Sequence, residues 1–147
     1  MVNKEKRKGI SWEKQFVELI LERIDDVNKA KRIAGSGAIG TILEEPLLTG
    51  DVILEFPGFS KKFRVECKTG YGGSKQLTLK KEWFDKIIEE AKNSYSIPLL
   101  ACKFLDAREN GTKYFISLDI NTFVEIINYV NNLKRELDLN YESMGNN

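Results

Sequence analysis

The chain has 147 residues, 41% hydrophobic and 31% charged with net charge +1, the size and balance of one globular domain. It has no histidine and two cysteines, which excludes Ser-His-Asp and Cys-His catalysis, histidine-based zinc hydrolysis, a disulfide framework and a four-thiolate metal site. No apolar run approaches the roughly 18 residues of a membrane span, and Met1–Gly9 lacks the apolar stretch of a signal peptide, so a cytoplasmic protein is expected, in a prokaryote or, if viral, in its host.

The charge is unevenly spread. Residues 1–81 hold 16 Lys and Arg against 11 Asp and Glu, whereas residues 82–147 hold 7 against 11. Within 60–81, Lys61, Lys62, Arg64, Lys68, Lys75, Lys80 and Lys81 face one acid, Glu66. That half suits a polyanion such as nucleic acid; it also reads as a plain solvated surface.

In chain order, residues 1–10 are expected as a basic flexible tail before a domain over 11–137, with 138–147 a frayed C-terminal tail. Ser11 has the chemistry of an N-cap for a helix from about Trp12 to Ile33, along which Phe16, Val17, Leu19, Ile20, Ile24 and Val27 recur at helical spacing. Glu13, one turn upstream of Phe16 and Val17, falls on the same inner side, where a carboxylate needs a partner; the helix dipole also favours a glutamate there. Gly35-Ser36-Gly37 stops the helix.

Alternation predicts strands over Asp51–Phe56 and Phe63–Lys68, joined by a turn through Pro57–Ser60. Pairing Asp51 with Lys68, Ile53 with Glu66 and Glu55 with Arg64 leaves one wholly apolar face: Val52, Leu54, Phe56, Phe63, Val65 and Cys67. Asp51, Glu66 and Lys68 gather on the other. A glycine-rich basic loop, Thr69–Gln76, leads to a helix over about Thr78–Asn93. Strands at Ile97–Phe104 and Lys113–Leu118 follow, then a closing helix over Asp119–Leu137 capped by Asp119 or Asn121. The order predicts one α/β domain with a mixed central sheet flanked by helices.

The chemically pointed set is Asp51, Glu66 and Lys68. Two carboxylates on adjacent strands can share a hard divalent cation, with Mg²⁺ the natural ion and Mn²⁺ able to substitute. Lys68 can orient a water or steady charge developing on a phosphate. The plainer reading is a salt-bridged solvent face. Lys75, Gln76 and Lys80 flank glycines that allow a phosphate to approach the backbone, or are ordinary surface.

Gly50-Asp51 and Glu66-Cys67-Lys68 resemble the D…ExK core of the PD-(D/E)xK nuclease superfamily, with Thr49-Gly50 where its proline often stands. Glu13 matches the extra acid many members carry on the first helix. Arg32-Ile33-Ala34-Gly35-Ser36-Gly37 is similar to the loop of archaeal-type Holliday junction resolvases, where a basic residue and a serine approach the DNA backbone. The resemblance implies a restriction-endonuclease-like αβββαβ core and a Mg²⁺-dependent endodeoxyribonuclease leaving 5′-phosphates. It further implies catalytic roles for Glu13, Ser36, Asp51, Glu66 and Lys68. Metal ligands would be Glu13, Asp51, Glu66 and the Cys67 carbonyl, with DNA contacts from Arg32, Ser36, Lys75, Gln76 and Lys80. A C2 homodimer acting on four-way or other branched DNA, in recombination and repair, is expected. The alternatives are a restriction-type or phage nuclease acting on other DNA, a non-catalytic nucleic-acid-binding module on the same fold, and a purely structural domain.

Overall fold

The computed structural model describes residues 4–33, 51–70, 76–105 and 111–145. In chain order the elements are α1 (Lys4–Arg23), β1 (Lys29–Arg32), β2 (Val52–Glu55), β3 (Phe63–Thr69), α2 (Lys81–Asn93), β4 (Ile97–Lys103), β5 (Tyr114–Ser117) and α3 (Ile120–Gly145). The five strands lie in sequence order in one sheet. β3 and β4 are parallel, joined through α2, and every other neighbouring pair is antiparallel. This is the expected mixed α/β domain, with the αβββαβ order extended by β5 and α3. Among the described residues no helix is long and apolar enough to cross a membrane.

A parallel pair has to be covered on both faces, and β3–β4 is. On one side Trp12 and Phe16 of α1 pack on Val52, Leu54, Phe63, Val65, Leu99 and Ala101. The Trp12 indole N–H donates to the Ala101 carbonyl at 3.0 Å, which ties helix to sheet without leaving a buried donor unpaired. On the other side Ile87 of α2 packs on Leu100 and Cys102, with Leu77, Trp83, Phe84 and Phe115 around them. The polar face of the β2–β3 hairpin therefore meets a helix, not open solvent: Arg64 is 1% and Glu66 8% exposed.

Several expected boundaries move. Helix α1 begins at Lys4 and stops at Arg23, so Ser11 is interior to it and Lys4–Ile10 are helical. Asp25-Asp26 interrupts the helix: these side chains compete for backbone hydrogen bonds, and Asp26 sits in the left-handed region at φ 54°. Lys29–Arg32, expected as helix, forms the edge strand β1, and its short charged sequence is typical of a sheet edge. Helix α3 continues to Gly145 through residues expected to fray, while the Asp119 carboxylate accepts from the Asn121 and Thr122 N–H groups as a cap.

The hairpin register also differs. Val52 pairs with Val65, Ile53 with Arg64 and Leu54 with Phe63, two residues from the expected alignment. An even shift keeps every side chain on its face, so the polar–apolar segregation survives while Asp51 comes opposite Glu66 instead of Lys68. The turn is responsible: Phe56 and Phe59 fold onto Phe63, with ring centroids at 5.5 and 5.3 Å, and leave the ladder. Gly58 has φ 84°, and a Cβ there would meet Leu133 of α3 at 3.2 Å. Gly58→Ala is expected to lower stability by about 1–2 kcal/mol from the left-handed backbone alone. Urea unfolding checks this, and an unchanged midpoint would show that the turn adapts freely.

Candidate active site

The residues at the end of the β2–β3 hairpin converge because the two strands alternate in step. Asp51 lies just before β2, with its N–H donating to the Val65 carbonyl at 2.9 Å. Its Oδ2 accepts from the Cys67 N–H at 2.8 Å. Glu66 and Lys68 are two apart on β3 and share a face, and Lys68 Nζ donates to Glu66 Oε1 at 2.9 Å. From α2, Lys86 brings a second ammonium to 3.9 Å from the same oxygen. On the other side of Lys68 lies Trp83, its ring centroid 4.8 Å from Nζ.

Glu13 reaches the group from α1. Its Oε2 accepts from Arg32 Nε at 2.7 Å, and both side chains are largely covered. The Asp51 carboxyl, near 3.8 in an open chain, is pushed up to about 7. Burial is the largest cause, followed by the Glu66 charge; Glu13 adds to the rise, and the Cys67 N–H and Lys68 oppose it. Burial, then the charges of Asp51, Glu13 and Glu66, drive the Cys67 thiol well above its ordinary range. The thiol is thus a neutral core group, and Cys67 enters the site through its backbone N–H.

The fold therefore brings Glu13, Asp51, Glu66, Cys67 and Lys68 together, with Arg32 joined to them through Glu13. Lys80 lies at the rim, its Nζ 5.8 Å from the Trp83 ring and 3.8 Å from a Glu82 oxygen. Gln76 is exposed on the segment leading to α2, where its carbonyl lies close to Gly70 at the end of β3. Ser36 and Lys75 lie outside the described residues. Neither Lys86 nor Trp83 is among the residues expected from sequence. The signal lay in their spacing, since residues three apart on a helix share a face.

Among the described residues, no three Asp, Glu, Cys or His side chains are grouped so as to enclose a metal ion, and Glu13 is engaged by Arg32. What remains is a pair of hard-oxygen donors, Asp51 and Glu66, with the Glu66 charge among the causes that hold the Asp51 carboxyl above its ordinary range. That donor set fits a cation such as Mg²⁺, which keeps much of its water and takes one or two carboxylates plus substrate phosphate.

A family model described as "Phage putative PDDEXK endonuclease" matches residues 4–143. The chain belongs to this endonuclease family. The match spans α1 to α3, so the hairpin and its acids lie inside a nuclease domain. Among solved structures, Archaeoglobus fulgidus Hjc, a Holliday junction resolvase from an archaeal hyperthermophile, is similar at 17% identity, with 78% of this chain and 86% of that chain covered at a TM-score of 0.46. No curated protein matches by sequence.

The Asp51 carboxyl binds its proton more tightly in the fold than in the open chain. The stability this confers is complete below pH 3.8 and is lost as pH rises through about 7. In metal-free buffer with chelator, Asp51→Asn is therefore expected to gain on the wild type steadily across that window, by on the order of 4 kcal/mol between its two ends. Thermal unfolding curves at several pH values check this; a pH-independent difference would mean that Asp51 is not held out of water.

Proposed function

We propose that the protein is a divalent-metal-dependent DNA endonuclease whose reaction is carried by Asp51, Glu66 and Lys68. The observation that carries this reading is Asp51, a covered carboxyl opposite Glu66 and pushed up to about 7 by burial and by that neighbour. Such a pair is costly in an empty fold and useful around a cation.

In this reading Asp51 and Glu66 hold Mg²⁺, or Mn²⁺ in its place, with the Cys67 carbonyl and water completing the shell and Glu13 at its edge. A bound hard cation lowers the pKa of its water and offsets charge on the scissile phosphate. The Cys67 N–H fixes one Asp51 oxygen and leaves the other free to ligate. The Lys68 ammonium, held by Glu66, faces the phosphate oxygens where negative charge grows during in-line attack, and the products carry 5′-phosphates. Arg32, Gln76 and Lys80, together with Ser36 and Lys75 outside the described residues, contact the DNA backbone, where basic side chains position a duplex without reading its sequence.

The proposed substrate is a four-way junction or other branched DNA in recombination or repair, in the cytoplasm of a prokaryote or of a virus's host. Symmetric cutting needs two sites, hence a C2 homodimer. The outer side of α3 supports it. Phe123, Ile127, Val130, Leu137, Tyr141 and Met144 are all at least 42% exposed; they step by four, three, seven, four and three residues, two apolar stretches on one side of the helix separated at Lys134. A second copy lying antiparallel meets these stretches with like chemistry, setting Phe123 near Tyr141 and Ile127 near Leu137.

Cleavage of linear, nicked, flap and four-way DNA with Mg²⁺ tests the reaction. Asp51→Asn and Glu66→Gln are each expected to lower the rate at least about a hundredfold with the fold intact by circular dichroism, and chelator is expected to abolish it. Near-normal cleavage by either variant would overturn the metal assignment, and binding without cleavage by the wild type would leave a nucleic-acid-binding module. For the dimer, Leu137→Glu is expected to give a monomer in sedimentation and to lose paired cutting of a junction. An unchanged dimer would move the interface elsewhere. Equal affinity for linear and four-way DNA would leave a general nuclease.

A further inference from the structure

We propose that Trp83 is a positioning residue for Lys68, its ring forming the wall that holds the ammonium beside Glu66 in the geometry the reaction uses. The inference rests on the role assigned to Lys68 above.

A lysine side chain carries four rotatable bonds and loses much freedom when fixed. Its bond to Glu66 at 2.9 Å is a single tether, and Lys86 approaches the same oxygen at 3.9 Å. One shared carboxylate oxygen does not define where Lys68 points. The second constraint is the Trp83 face, 4.8 Å from Nζ to the ring centroid, a distance at which the ring quadrupole attracts a cation. This contact has a property that another carboxylate would lack. The ring holds the ammonium without accepting its protons in a strong hydrogen bond and without adding negative charge beside Asp51 and Glu66, so the donors stay available to a phosphate.

Trp83 is itself well placed to act as a wall. It stands in the first turn of α2, its N–H donating to the Lys80 carbonyl at 3.1 Å. Its ring packs against the cluster of Ile87, Leu100 and Cys102 that seats α2 on the sheet. An aliphatic side chain in that place would offer the ammonium no π face.

The test compares Trp83→Phe, which keeps an aromatic face, with Trp83→Leu, of similar volume without one, in the full chain and below both unfolding transitions. Should the Leu variant fail to fold, Trp83→Met replaces it. In wild-type NMR spectra the Lys68 ε-methylene protons are expected upfield of those of other lysines through the ring current, a shift kept in the Phe variant and lost in the Leu variant. In Mg²⁺-dependent cleavage the Leu variant is expected to lose about tenfold in kcat with KM for DNA little changed, and the Phe variant to stay within about threefold of wild type. Equal losses in the Phe and Leu variants, a loss in KM alone, or an unshifted Lys68 would each overturn the inference while wild-type cleavage leaves the nuclease reading standing. A wild-type chain that cleaves no DNA would overturn that reading, and any role of Trp83 in the reaction with it.

Discussion

Val52 lies opposite Val65 with both side chains fully buried, and because strand side chains alternate with a period of two, that pairing decides which residues share the opposite face. It brings Asp51 level with Glu66 and sends Lys68 beyond them toward α2. The pairing is held from both sides of the sheet: Trp12 and Phe16 of α1 close the apolar face, and α2 with its aromatic cluster closes the polar one. A one-residue slip would turn Val52 and Leu54 out of the core and Asp51 into it, at a cost of several kcal/mol for each reversed side chain.

From that geometry follows an uneven distribution of charge partners. Glu13 has Arg32, and Glu66 has Lys68 with Lys86 behind it. Among the described residues Asp51 has one backbone N–H and no ion pair. It is also the carboxyl that burial and neighbouring acids push farthest from its ordinary range. Asp51 is also the residue that the resemblance to D…ExK nucleases implies as a metal ligand.

The hairpin was legible because alternation over Val52–Glu55 and Phe63–Lys68 is strict and a charged residue in the wrong place is expensive. Its alignment was not, since alternation cannot tell a pairing from one displaced by two residues; the aromatic packing of Phe56 and Phe59 on Phe63 decides that. The end of α1 was obscured by Ile24 and Val27, which extend the helical pattern past Asp25-Asp26, where the backbone turns. The cover over the polar face was invisible for a different reason. Nothing in the spacing of Glu66 and Lys68 says that a helix will lie on them, so neither Trp83 nor Lys86 is among the expected site residues although both reach the site.

The proposed reaction depends on Asp51 and Glu66 forming one cation site. Calorimetric titration of the metal-free protein with Mg²⁺ at neutral pH tests it without any DNA. Saturable binding that releases protons, seen as a dependence of the heat on buffer ionisation, is expected in the wild type, with both the binding and the proton release lost in Asp51→Asn. Unaltered Mg²⁺ binding by Asp51→Asn would contradict it.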